Sequence, residues 1–259
     1  KGERMTSAVS PLALSGVSVR FGGIQALANV SINVEAGEIV AVIGPNGAGK
    51  SSLINVVTGF YKPSPGEVVV GGERCTGLAP NVIAAKGVAR TFQTPRLIGS
   101  LSCLGNLLPA FHGAARRYAW GIGNRSQEQI TRQCIEILDE AGLKNRYNEN
   151  TDSLSLGEQR RLELARSCVS NPKVLLLDEI ASGLAEIEAK SIIPVIRKMA
   201  RERGAAVVLV EHSMAFVRET ADRVVVLVKG QVVARGGVVE TLSNPRVIEA
   251  YLGTSNDAQ

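Results

Sequence analysis

The octapeptide GPNGAGKS, residues 44–51, constrains this chain more than any other stretch. It matches G-x-x-x-x-G-K-[ST] and stands directly after the apolar run EIVAVIG (38–44). The stretch GKSSLINVVTG follows at once, patterned as a helix that Gly59 stops. Strand, glycine-rich turn and helix in that order make a loop whose backbone N–H groups point inward. The helix N-terminus adds the positive end of its dipole, and the result is a cradle for phosphate oxygens. Gly44, Gly47 and Gly49 let the backbone curl. Lys50 is placed to bridge the β- and γ-phosphates of a nucleotide, and the Ser51 hydroxyl to ligate Mg²⁺. Asn46 in the loop and Ser52 on the first helical turn belong to the same nucleotide-binding group.

A loop of this kind needs a covered sheet behind it. Short β-rich runs come first, at 16–21, 29–34 and 38–44, with Val17, Val19 and Phe21 alternating as one strand face. GEVVVGG (66–72) reads as a further strand. From about 96 to 150 the character changes to helical periodicity, as in QEQITRQCIEILDEAG (127–142), with arginines at 116, 117, 125 and 132. Those arginines fit lipid headgroups, acidic loops of a partner, or a plain solvated face. After 155, a helix runs to Asn171-Pro172, followed by apolar strands at 174–178, 206–211 and 223–228 alternating with helices. That alternation predicts a largely parallel sheet covered on both faces. The expected organisation is an N-terminal extension over 1–11, a nucleotide-binding core over 12–93 and 151–259, and a helical subdomain over 94–150. A native start at Met5 and processing of a longer precursor both fit the extension.

The second carboxylate site is LLLDEIASGLAE (175–186). Asp178 ends an apolar strand, where it can hold the magnesium shell, and Glu179 beside it can act as general base on an attacking water. Bulk properties narrow the alternatives. The 259 residues are enough to bury a sizeable core, and a net charge of +5 permits a polyanion or membrane-facing surface without requiring one. Cys75, Cys103, Cys134 and Cys168 are scattered without a CxxC pair and there are only two histidines, so reduced thiols are expected and a zinc site is not. The longest apolar runs have strand length, too short to span a bilayer, and no secretory signal is visible.

LSLGEQRRLELAR (154–166), about twenty residues before Asp178, completes the pattern. On its own terms Ser155 with Glu158 forms an S-x-x-E capping box, and Leu162, Ala165, Cys168 and Val169 supply an apolar stripe. A helix start carrying Ser155 and the Gly157 backbone also suits a γ-phosphate. Phosphate loop, this stretch and the acidic strand together resemble the ATP-binding subunits of ABC transporters, from about Leu14 to Leu252. The resemblance implies an ABC-type P-loop ATPase domain: an α/β fold with a mainly parallel sheet core, an N-terminal antiparallel β region and a helical subdomain that contacts a permease.

It implies further that two subunits, identical or homologous, sandwich ATP and Mg²⁺, with Ser155 and Gly157 of one closing on nucleotide held by the other. Residue by residue, Gln93 in ARTFQTPRL resembles the glutamine that senses Mg²⁺ and the attacking water. His212 in VLVEHSM resembles the switch histidine at the γ-phosphate, and Phe21 in VRFGG the aromatic that stacks on adenine. Catalytic roles thus fall on Glu179, His212 and Gln93, and the metal set is Ser51, Asp178 and Gln93, partly through water. His112 and the cysteines match no family motif. FGGIQAL, GVARTFQTPRL and the ending NPRVIEAYLG look most like importers of branched-chain amino acids and related polar solutes. The resemblance carries with it a place on the cytoplasmic face of the cell membrane, an integral-membrane permease, a solute-binding protein acting indirectly, and no nucleic acid.

Other readings stand beside this one: a lipopolysaccharide-exporter-type ATPase, a hydrolysis-impaired regulatory subunit, or an ABC-type ATPase serving cytoplasmic machinery. The impaired reading rests on departures from the family pattern. Ile180 stands where the family has Pro, Ala185 where it has Asp or Asn, Glu158 where the signature has Gln, and Leu156 is its third residue. None of them deletes a phosphate ligand, a metal ligand or the base, and an active hydrolase is expected.

Overall fold

Successive strand residues point to opposite faces, so a strand buried on both sides must be apolar throughout and feed two different cores. The computed structural model describes residues 10–117 and 126–252, and the expected N-terminal extension falls almost wholly outside them. The chain opens with strands β1 (Leu12–Phe21), β2 (Ile24–Val34) and β3 (Ile39–Ile43), followed by helix α1 (Lys50–Val57). Strands β4 (Glu67–Val70) and β5 (Glu73–Arg74), helix α2 (Pro80–Ala85) and strand β6 (Val88–Arg90) come next. Three helices follow: α3 (Cys103–Arg117), α4 (Gln127–Glu140) and α5 (Leu156–Cys168). Then β7 (Val174–Asp178), α6 (Glu186–Arg201), β8 (Ala206–Val210), α7 (Met214–Thr220) and β9 (Arg223–Val228) alternate. Strand β10 (Gln231–Gly237) and helices α8 (Val238–Leu242) and α9 (Pro245–Leu252) close the described chain.

The central sheet has the order β10-β9-β3-β8-β7-β6, with every pair from β9 to β6 parallel and only β10 antiparallel at the edge. A smaller antiparallel sheet runs β2-β1-β4-β5. Strands β3, β7 and β8 are buried at every position. In β7, Val174 and Leu176 join the core under the small sheet and α1, while Leu175 and Leu177 join the core shared with α5 and α6. In β8, Val208 and Val210 face the first core and Val207 and Leu209 the second. Period two thus builds three layers around the sheet.

Helices α3, α4 and α5 pack on one another through Leu107, Phe111, Ile130, Cys134, Leu138, Leu162 and Ala165. The helical stretch after Gln93 therefore shares its core with the signature helix. Arg132 is exposed on α4, Arg125 lies outside the described residues, and so do the side chains of His112, Arg116 and Arg117. All four cysteines are buried free thiols. No helix among the described residues is long and apolar enough to cross a membrane.

The strands differ from the sequence reading at the N-terminal sheet. β1 and β2 start earlier than their apolar alternation predicts, because the β1–β2 register shifts between Leu14 and Val17 and twice more before Phe21. Asn29 sits inside β2 at φ 52, the kind of irregularity that accompanies such shifts. Val17 and Val19 are buried, but the shift after Val19 turns Phe21 out to 44% exposure, off the face it was expected to share.

Candidate active site

The phosphate loop leaves the C-terminal end of β3 and enters α1. Gly44 has φ 155, and a Cβ there would lie 2.1 Å from the Leu227 carbonyl oxygen. Gly49, at φ 103, would put a Cβ 2.5 Å from the Ala26 carbonyl oxygen. Both places admit only glycine, and the loop they permit wraps the start of a helix that has no acidic residue in its first turn. Lys50 Nζ donates to the Gly44 carbonyl at 2.6 Å and to the Pro45 carbonyl at 3.0 Å, so its ammonium lies within the curl of the loop. Burial pulls the Lys50 pKa down, and the carboxylates Glu179 and Asp178 pull it back up. Asn46, Gly47 and Ser51 are exposed at the mouth, and Ser52 is half-buried behind them.

Asp178 and Glu179 stand at the C-terminal end of β7, two strands away in the same sheet. Glu179 adopts φ 50, a left-handed conformation uncommon for a residue with a Cβ, and its N–H donates to Val210 O at 2.8 Å. The turn aims its carboxylate at two other predicted residues. Gln93 Nε2 donates to Glu179 Oε2 at 2.7 Å, and His212 Nε2 lies 2.8 Å from Glu179 Oε1. Gln93 and His212, far apart in sequence, thus meet on the one carboxylate of Glu179. Ile180, the departure beside Glu179, is fully buried in the same core as Leu177. Packing restrains the backbone where a proline ring would have done so.

Ser155 caps α5 as its sequence predicts. Its Oγ accepts from Glu158 N at 3.3 Å, and Glu158 Oε2 accepts from Ser155 N at 2.9 Å. Glu158 Oε1 also pairs with Arg146 at 3.1 Å. Burial raises the Glu158 carboxyl, but the Ser155 backbone N–H and Arg146 outweigh it and hold the group below its ordinary value. The extra negative charge at the signature is therefore neutralised within the chain. Gly157 is buried, and a Cβ there would press on Glu188 at 3.0 Å. Ala185 begins α6 with no side-chain cap, and Glu188 Oε2 accepts from its N–H at 3.3 Å. Phe21 stands apart, edge-to-face with Tyr61 at a ring separation of 4.8 Å.

Several partners escaped the sequence reading. Arg90 donates to Asp178 Oδ2 and to Asn55 Oδ1, each at 2.9 Å, tying β6, β7 and α1 together. Glu211, only 3% exposed, accepts from Ala181 N at 2.8 Å and from His212 N at 3.3 Å. Its position before His212 at the end of an apolar strand was the one available signal. Tyr61 beside Phe21 gave none.

With this geometry in place, comparison with known proteins decides the family. Residues 27–182 match the family model described as "ABC transporter". The chain belongs to that family. It is 38% identical over 248 residues to the high-affinity branched-chain amino acid transport ATP-binding protein BraF of Pseudomonas aeruginosa, covering 93% of this chain and 97% of the relative. LivG of Escherichia coli, named for the same transport, is 37% identical over 248 residues, with the same two shares. The ADP conformation of MJ1267, an ATP-binding cassette of an ABC transporter, superposes with a TM-score of 0.83 at 30% identity, covering 94% of this chain and 99% of that one. The ABC cassette fold accounts for both sheets and the helices beside them. The chain is an ATP-binding subunit of the ABC type, an ATPase, and most like the subunits of branched-chain amino acid importers.

Proposed function

We propose that this subunit hydrolyses ATP at Glu179 to drive import of branched-chain amino acids or a related polar solute. The observation that carries the reading is the meeting of Gln93 and His212 on the two oxygens of the Glu179 carboxylate. In the proposed reaction the N–H groups around Gly44, Asn46, Gly47 and Gly49, together with Lys50, Ser51 and Ser52, hold the phosphates, and Phe21 stacks on adenine. Glu179 takes a proton from the attacking water, while His212 and Gln93 orient carboxylate, water and γ-phosphate. Magnesium would neutralise charge on the β- and γ-phosphates. Among the described residues no cluster of three or more His, Cys, Asp or Glu could hold a metal by itself. That sparse donor set suits an ion held chiefly by the nucleotide, with the Ser51 hydroxyl and, through water, Asp178 and Gln93.

A second copy or a homologous subunit would close Ser155 and Gly157 over the bound γ-phosphate. Solved dimeric cassettes support this: the dimeric structure of MJ0796 matches with a TM-score of 0.74 at 28% identity, covering 88% of this chain and 98% of that one. A permease would dock in the cleft of about 420 Å³ that Phe92, the residue before Gln93, helps line, between α2, β6, α3 and α5. Ile83, Phe92 and Pro109 give it apolar walls, Arg166 a charge, and Phe60 stands 60% exposed at its edge. The subunit would then sit peripherally on the cytoplasmic face of the cell membrane, with a solute-binding protein acting only through the permease.

The test is steady-state ATPase activity of the chain beside Glu179→Gln, with Mg²⁺ and at high protein concentration. Turnover should fall roughly 10²–10⁴-fold in the variant while ATP still binds. Equal rates would remove Glu179 as the base.

A further inference from the structure

Gln93 lies on an irregular stretch between the end of β6 at Arg90 and the start of α3 at Cys103, and it is exposed. Such a stretch has no ladder or helix to hold it, so its position must come from side chains. They come from the signature helix. Arg160 Nη1 donates to the Phe92 carbonyl at 2.9 Å, and Nη2 donates to the Gln93 carbonyl. Glu163 Oε1 accepts from Phe92 N at 3.1 Å. One turn further along, Arg166 donates to the Arg96 carbonyl. The Phe92 peptide is thus held at both its N–H and its C=O by residues one helical turn apart on α5.

This hold is made from costly material. Arg160 and Glu163 are 3% and 2% exposed, and their ion pair is loose, at 3.6 Å. Arg160 Nε and Glu163 Oε2 have no hydrogen-bond partner. An apolar pair of similar volume would serve stability as well or better, so stability alone does not explain these two residues. The Phe92 ring is gripped as well, by Arg96 at 4.5 Å and Arg90 at 5.0 Å from its centroid. Arg90 in turn pairs with Asp178. A physical chain therefore runs from α5 through Phe92 and Arg90 to Asp178, and through Gln93 to Glu179 of the same site.

We propose that Arg160 and Glu163 are positioning residues for Gln93, a clamp that makes the Gln93 peptide follow the signature helix. Resting on the dimeric reading above, Ser155 at one end of α5 meets nucleotide held by a second copy. The clamp sits five to eight residues along the same rigid helix, so engagement at Ser155 resets Gln93 at the chain's own site. Each subunit would then carry the state of one nucleotide site to the other through its own interior.

The test compares the parent, Arg160→Lys, Glu163→Gln and the double variant Arg160→Met/Glu163→Met, which removes the clamp without stranding a buried charge. Two readouts are taken: kcat and KM for ATP, and amide hydrogen exchange over residues 92–96. The double variant should lose roughly 10- to 100-fold in kcat with KM within about twofold, as expected for a group held off its productive position. Exchange should quicken at 92–96 and stay at the parental rate elsewhere. Glu163→Gln and Arg160→Lys, which each keep part of the hold on Phe92, should fall between the parent and the double variant. Parental kcat in the double variant, or unchanged exchange at 92–96, overturns the clamp. If the parent itself shows no turnover, the hydrolase reading falls, and exchange at 92–96 still decides the clamp.

Discussion

Glu211 shows how a single buried carboxyl can be both useful and costly. Both of its oxygens accept backbone N–H groups, one from Ala181 just after the candidate base and one from His212. Burial, only partly offset by those bonds, pushes its pKa from 4.5 up to about 7. Between those values the unfolded chain releases the proton and the folded chain keeps it, so stability falls as pH rises from about 4.5 to about 7 and then levels off. The full effect is of the order of 3 kcal/mol. Glu211→Gln cannot ionise and should flatten that part of the profile. Urea unfolding at half-unit steps from pH 5 to 8 checks this: the stability difference between parent and variant should change steadily across the window. A constant difference would mean that Glu211 does not titrate there. At the active site the same scale explains Glu179, whose left-handed turn is held by Val210 O on one side and the buried Ile180 on the other.

Among the elements, α5 was the most legible before folding, because capping chemistry is local: Ser155 and Glu158 answer each other across three residues whatever the rest of the chain does. Ser155→Ala should cost about 1 kcal/mol and lower Tm by about 2–4 °C. Glu158→Gln keeps a side-chain acceptor for Ser155 N and loses only the half-exposed pair with Arg146, so its Tm should stay within about 2 °C of the parent. Thermal melts of both variants separate the two contributions, and a larger loss in Glu158→Gln would show that the Arg146 pair matters more than its exposure allows. Strands β7 and β9 were equally plain, since continuous apolar runs of strand length have no second use where no helix among the described residues is long and apolar enough to cross a membrane. β1 and β2 were not, because a register shift leaves no mark on apolar alternation until two strands are paired. The Arg160–Glu163 pair was invisible for a related reason. Read along α5 it is an ordinary i, i+3 pair of charges, and only the fold brings Phe92 within its reach.

For the whole molecule, the groups on the phosphate loop, β7 and the His212 turn were legible because the family pattern spaces them along one sheet, whereas the second copy proposed to close the site leaves its trace only in the surface around the signature. Two exposed apolar side chains stand beside the signature: Leu156, 40% exposed, and Ile187, 84% exposed, on the first turn of α6 next to Ala185. Leu156 also reaches the loop at Gly183, where a Cβ would lie 3.5 Å from its Cδ2. Signature, loop and the start of α6 thus form one surface with uncovered apolar area, which association with a second copy would bury. Ala185 offers that surface no side-chain hydrogen-bonding group and leaves its apolar part intact. The hydrolysis-slowed variant Glu179→Gln should therefore run as a monomer without nucleotide and as a dimer with Mg²⁺ and ATP, measured by light scattering after size exclusion. Adding Ser155→Arg should keep it monomeric under both conditions by placing a bulky cation where the second copy closes. Measured at protein concentrations low enough to keep both variants monomeric, its ATP affinity should stay within about twofold, an energy change under 0.5 kcal/mol. A dimer that forms without nucleotide, or survives Ser155→Arg, would move the interface away from the signature and separate it from ATP.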